Sequence, residues 1–134
     1  MTEPVYDEDA VNLGYLKKRL NVVLWENTDL SSFISQDIPI DEYDYYIIFA
    51  YRNPSQDKRT ISTIVEKEHA AEIQYHDYYN SNVRSFTRLV SIPQDMAKIS
   101  FGNCTINGTT NNAILIPYKI VGCKYNWLFL KNIV

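Results

Sequence analysis

The side chains able to do acid–base, metal or nucleophilic chemistry in this chain are few and poorly grouped. His69 and His76 are the only histidines, seven positions apart, with Glu68, Glu72 and Asp77 nearby. On a strand those two positions fall on opposite faces and more than about 20 Å apart, too far for shared coordination, so both are read as solvent-facing. Cys104 and Cys123 are the only cysteines, and neither belongs to a CxxC pair, which removes zinc-ribbon and thioredoxin-like chemistry. Their apolar strand contexts favour buried free thiols over a disulfide between neighbouring strands. No GxSxG elbow, GxGxxG loop or Walker loop occurs, and four glycines leave little backbone for close approach to phosphate. The 16 Asp and Glu are numerous enough for a glycosidase pair, but nothing in their spacing sets one against another. No catalytic residue, metal ligand or cofactor is assigned.

Binding residues are better represented. Eleven tyrosines and two tryptophans supply rings with a polar tip, the side chains that sugar-binding and protein-binding surfaces use. Tyr45, Tyr46, Tyr51, Tyr75 and Tyr118 fall in strand patterns and are assigned to core or sheet-face packing. The run His76-Asp77-Tyr78-Tyr79-Asn80 leads into a turn and mixes rings with short polar groups. His76, Tyr78 and Tyr79, together with Trp25, are therefore the candidate ligand-binding residues. Asn103-Cys104-Thr105 and Asn107-Gly108-Thr109 match the glycosylation sequon, but their simpler meaning is a polar hairpin. Lys17-Lys18-Arg19 and Lys58-Arg59 read as solvated charges on a helix face and a loop.

The elements that must position these residues are mostly strands. Val, Ile and Thr number 32 and the aromatics 18, against 15 Ala plus Leu, so strand-favouring side chains dominate a length of 134 residues that suits one domain. Residues 1–8 are acidic, contain Pro4 and show no periodicity, so they read as a flexible or partner-dependent arm. Asp9 caps a short α-helix over residues 10–20, in which Leu13, Leu16 and Leu20 form one stripe. A helix that short is marginal alone and Gly14 weakens it further, so the stripe packs either on its own β domain or against other copies as a brief coiled coil. Residues 1–20 are thus a lead and residues 21–134 a β domain.

Strands are expected near 21–26, 33–40, 43–52, 59–66, 71–79, 83–92, 98–106 and 113–123, about eight in all, forming an antiparallel, jelly-roll-like β-sandwich. Asn53-Pro54-Ser55, Asn80-Ser81-Asn82, Pro93-Gln94-Asp95 and residues 107–112 mark turns. Alternation points Ile34, Ile38 and Ile40 inward, and likewise Ile114, Ile116, Tyr118 and Ile120. Residues 47–51 are apolar on both faces, as in a central strand covered by the opposite sheet and by either the helix or another subunit. Pro39 and Pro117 each remove a ladder donor, so they belong on an edge or at a bulge.

Charge and hydropathy close several routes. A net charge of −3 and a pI near 5.3 give no cationic field for nucleic acid. The longest apolar run, residues 45–51, is far short of the roughly 20 residues of a spanning helix, so no membrane insertion is expected. No apolar segment follows a basic start, so no secretory signal is read.

At Asp7-Glu8-Asp9-Ala10-Val11-Asn12-Leu13-Gly14-Tyr15 the chain resembles the junctions of many bacteriophage tail-fibre and appendage proteins. Leu24-Trp25-Glu26-Asn27 before Ser31-Ser32-Phe33, then residues 43–48, Ile99-Ser100-Phe101-Gly102, and Asn111-Asn112 before residues 116–122 continue the likeness. In that order they are similar to the C-terminal β domains of phage minor structural, tail-fibre and head-fibre proteins, over roughly residues 7–124. The resemblance implies a β-sandwich, usually a homotrimer, displayed on the virion and often engaged in host attachment. It supplies no catalytic motif.

The chain departs from fibre proteins in lacking a long shaft before the helix and in continuing with Tyr125-Asn126-Trp127-Leu128-Phe129-Leu130. An exposed run of that kind is a liability unless it docks. The combined expectation is a non-enzymatic virion structural protein, a fibre or a capsid or tail appendage assembled in the host cytoplasm. Leu13, Leu16 and Leu20 are its expected trimer contacts. Val5, Tyr6, Trp127 and Phe129 are the candidate docking residues on a capsid or tail protein, and a host surface glycan is the further partner. A carbohydrate-binding module, and behind it a glycan depolymerase, are the alternatives.

Overall fold

The turn chemistry of the sequence sets the architecture. In the computed structural model, which describes residues 21–94 and 97–125, Asn80 and Ser81 both take positive φ, as do Asn107 and Gly108. Paired left-handed residues make tight turns whose twist matches that of antiparallel strands, so each pair closes a hairpin. Among the described residues nine strands result: β1 (Asn21–Glu26), β2 (Gln36–Pro39), β3 (Tyr45–Asn53), β4 (Asp57–Glu66), β5 (Ala70–Tyr79), β6 (Asn82–Ser91), β7 (Lys98–Ile106), β8 (Thr109–Thr110) and β9 (Ile116–Cys123). The first turn joins β5 to β6, and the second joins β7 to the two-residue β8.

The strands form two antiparallel sheets, β1-β9-β3-β4 and β2-β7-β6-β5 with β8 beside β7. This all-β arrangement is consistent with a β-sandwich. Period-2 alternation decides which side chains meet between the sheets. From the first come Tyr46, Ile48, Ala50, Val65 and Ile120; from the second, Ile73, Phe86, Val90, Ile99, Phe101 and Cys104, all buried in one cluster. Cys104 and Cys123 are buried free thiols, and burial pushes both thiols up from their ordinary value.

Gly122 fits this packing because a Cβ there would lie 2.5 Å from the Tyr43 ring and 2.8 Å from Leu24 Cδ1. The Tyr46 hydroxyl donates to the Asp41 carbonyl and accepts the Tyr43 N–H, tying the approach to β3 onto the core.

Pro39 lies on the edge strand β2, and Pro117 lies where β9 slips register against β3, the two settings open to a residue without an N–H. Two inward assignments are corrected. Ile34 is 63 % exposed because regular pairing begins only at Gln36, so strand alternation does not reach it. Tyr118 is the extra residue of the β9 bulge, between Lys119 opposite Phe49 and Pro117 opposite Ala50. Its ring stacks on Tyr51 at 4.1 Å on the outer face instead of entering the core.

The expected helix and its stripe Leu13, Leu16 and Leu20 lie outside the described residues, as do Val5, Tyr6, Trp127 and Phe129. No helix among the described residues is long and apolar enough to cross a membrane.

Candidate functional site

Even-numbered positions of β6 face the interior, and two of them are arginines: Arg84, Phe86, Arg88 and Val90 follow one another on that face. Arg88 is fully buried, and among the described residues no carboxylate forms an ion pair with it. Its Nε donates to the Leu115 carbonyl at 2.9 Å, Nη1 to the carbonyls of Gly102 at 2.7 Å and Phe33 at 3.0 Å, and Nη2 to that of Ile114 at 3.2 Å. Burial lowers its pKa to about 10, which leaves it protonated at neutral pH. Leu115 sits at φ 50°, sparsely populated for a branched residue. In that conformation its carbonyl meets Arg88 while its N–H donates to the Arg52 carbonyl. The buried arginine therefore pins the 114–115 loop against β3.

That loop is one wall of a cleft of about 420 Å³. β3 contributes Arg52 and Asn53, β5 contributes Tyr75, Asp77 and Tyr79, and β6 contributes Arg84 and Phe86. Gln56, Ile106, Asn111 and Ile114 complete it. Direct pairing of Asp77 with Arg84 across β5–β6 makes their ion pair a product of strand register. Arg84 Nε donates to Asp77 Oδ1 at 2.7 Å and Nη2 to Oδ2 at 2.5 Å. The guanidinium holds the carboxyl below its ordinary value. Arg84 also lies over the Tyr79 ring, 4.5 Å from its centroid.

Arg52 is placed differently. Its guanidinium stacks over Tyr75 at 3.8 Å, and Tyr75 in turn stacks on Phe86 at 5.0 Å. Its Nε is buried and finds no acceptor. Leaving such a donor unpaired costs about 1–3 kcal/mol. The cleft thus offers one fixed ion pair, one guanidinium with unused donors, and the side-chain amides of Asn53, Gln56 and Asn111.

Among the ligand candidates read from sequence, only Tyr79 lines this cleft. Tyr78 is its strand neighbour, so it points to the opposite face and is 72 % exposed. His76 shares that outer face, its Nδ1 3.0 Å from Ser85 Oγ. Trp25 packs against the core, with ring centroids 5.9 Å from Phe33 and 6.3 Å from Phe101. The four residues do not form one site. Arg52 and Arg84 lie outside the sequence candidates, and Asp77 belongs to the His76-Asp77-Tyr78-Tyr79-Asn80 run without being one of the residues singled out from it. Their signal was alternation: charges at Arg84 and Arg52 continue the inward series Val90-Arg88-Phe86 and Ile48-Ala50.

A second feature lies on the outside of the other sheet. Register aligns Val23 with Val121, Val121 with Ile47, and Ile47 with Ile64, an aliphatic row crossing β1, β9, β3 and β4. Val23 is 51 % and Ile64 59 % exposed. Phe49, Tyr51 and Tyr118 extend the row into an aromatic patch. Among the described residues no group of three or more His, Cys, Asp and Glu is placed to hold a metal ion.

Comparison of the chain with protein-family models, with curated proteins and with solved structures finds no match.

Proposed function

We propose that the chain is a non-enzymatic structural protein of a bacteriophage virion, a fibre or a capsid or tail appendage, displayed as a homotrimer for attachment to the host surface. The observation that carries the assembly reading is the aliphatic row Val23-Val121-Ile47-Ile64 on an outer sheet face. Val23 and Ile64 are exposed, with Val121 and Ile47 half-buried between them; an apolar row of this kind marks an interaction site, and its occupant here is the same face of other copies. β1 and β9, which contribute Val23 and Val121, are also the strands to which residues 1–20 and 126–134 are joined. In sequence, Leu13, Leu16 and Leu20 precede β1 and the run Trp127-Leu128-Phe129-Leu130 follows β9. Contact of Leu13, Leu16 and Leu20 across the threefold axis belongs to this proposal, as does docking of Val5, Tyr6, Trp127 and Phe129 on a capsid or tail protein. The phage assignment itself rests on the sequence likeness to fibre and minor structural proteins.

The cleft supports attachment to a host surface glycan over glycan cleavage. A glycosidase needs two carboxylates set across the sugar, and among the described residues Asp77 is the single carboxylate lining the cleft, already engaged by Arg84.

Sedimentation equilibrium of the full chain at micromolar concentration tests the assembly. A trimer mass that falls to the monomer on Ile64→Asp and on Leu16→Asp is expected; a wild-type monomer contradicts it. An unchanged mass for Leu16→Asp alone moves the leucines onto the chain's own domain. Gold-labelled antibody imaged on purified particles tests the virion reading, which fails if the particles carry no label.

A further inference from the structure

We infer that the cleft binds a sugar unit bearing one carboxylate, a hexuronic acid or a related acidic sugar, with Arg52 as the residue that holds the acid group. The inference deepens the attachment reading by naming the class of glycan, and it rests on that reading only for its biological setting.

Charge comes first. Arg52 and Arg84 contribute two positive charges to the lining and Asp77 one negative. The site therefore carries one uncompensated positive charge, in a protein whose net charge is −3. A carboxylate neutralises that excess, whereas a phosphate monoester, at about −1.5 to −2, overshoots it and meets Asp77.

Donor geometry comes second. Arg84 spends its Nε donor and one Nη2 donor on the two carboxylate oxygens of Asp77, which neutralises its charge. The Arg52 guanidinium makes no hydrogen bond or ion pair with any described side chain or backbone group, and stacking on Tyr75 fixes its plane. A planar fork of N–H donors, oriented in advance and lacking an acceptor, matches a carboxylate. Its position is set from both sides: the Leu115 N–H holds the Arg52 carbonyl, and Arg88 holds the Leu115 carbonyl.

The remaining lining identifies the rest of the ligand. Asn53 and Asn111 accept from Ser55 Oγ and the Ala113 N–H through their Oδ1 atoms, which leaves their amide N–H groups as donors; with the Gln56 amide they complement sugar hydroxyls. Ile106, Ile114 and the Phe86 and Tyr79 rings bring apolar surface for the C–H faces of a pyranose. A volume of about 420 Å³ admits one sugar unit with its ordered water, and lies at the small end of ligand sites.

The test is an NMR titration of the full chain with glucuronate, glucose and inorganic phosphate in parallel. Glucuronate is expected to shift backbone amides of Arg52, Asn53, Tyr75 and Asn111, with glucose and phosphate each weaker by about tenfold or more. Arg52→Gln should abolish the glucuronate shifts while leaving the amide spectrum dispersed; Arg52→Lys, which keeps the charge but loses the fork, should weaken them by about tenfold. No glucuronate shifts in the cleft, equal shifts with phosphate, or unchanged binding in folded Arg52→Gln would each overturn the inference. A trimer that ignores glucuronate refutes this inference and spares the assembly reading; a monomer that binds it does the reverse.

Discussion

Two arginines in adjoining parts of one interior show how the same side chain is put to different uses. Arg88, in the closed part of the sandwich, meets four backbone carbonyls and, among the described residues, pairs with no acid, and it is fully buried. Arg52, where the sheets part into the cleft, meets a tyrosine face and keeps donors unused. A buried cation is tolerated in the first place because every neighbouring carbonyl gains a charge-assisted donor. In the second, Nε is buried without an acceptor, and the outer guanidinium nitrogens, which have no protein hydrogen-bond partner among the described residues, are left where a ligand can reach them. Saturated hydrogen bonding marks structure, and unsatisfied hydrogen bonding beside open space marks a site.

The sharpest way to break that contrast is to remove Arg88. Arg88→Met keeps an unbranched side chain but strands the carbonyls of Phe33, Gly102, Ile114 and Leu115. A loss of about 3 kcal/mol or more in urea unfolding is expected. Arg88→Lys should fall between the two, since an ammonium has three donors for four carbonyls. Stability within about 1 kcal/mol of wild type for Arg88→Met would show that the carbonyls find other partners.

Gly122→Ala comes next. The new methyl must displace the Tyr43 ring or Leu24, and a loss of about 1–3 kcal/mol, read from the urea midpoint, is expected.

Acid titration gives a smaller effect. Arg84 depresses the Asp77 carboxyl in the folded protein, so the pair's contribution is fully present above the ordinary carboxyl value near 3.9. It is lost as pH falls through the lower folded value. Asp77→Asn should therefore flatten the acid limb of the stability curve, and an unchanged limb would show that the pair adds nothing to folding. Smallest of all is Arg52→Gln, expected to change stability by less than about 1 kcal/mol because no protein acceptor is lost. A large destabilisation would make Arg52 a second structural arginine.

Most of the strand layout was legible in the chain, and the reasons are local. β1 and β7 begin and end where apolar alternation does, and the turns at Asn80-Ser81 and Asn107-Gly108 carry residues that accept left-handed backbone. Tyr118 was not legible, because a bulge shifts the alternation by one and only the pairing with β3 reveals it. Ile34 shares the apolar pattern of Ile38 and Ile40, but the strand starts two residues after it.

The site was legible only in part. Tyr79 was singled out, yet its partners Arg52 and Arg84 come from strands β3 and β6, and their convergence follows from sheet packing. Arg84 and Arg88 fall in the inward series with Phe86 and Val90, which marks both as interior cations. Which one was saturated and which pair left a cleft depends on the loop at Ile114–Leu115, whose conformation no local pattern encodes.

The contrast between the two arginines is tested most directly by the side-chain Nε–Hε signals of the 15N-labelled protein during a glucuronate titration. The Arg52 signal is expected to move, sharpen and gain protection from exchange as the sugar is added, while the Arg88 signal stays where it began. Movement of neither signal, or of Arg88 together with Arg52, would contradict the division of one interior into a sealed half and a receptive half.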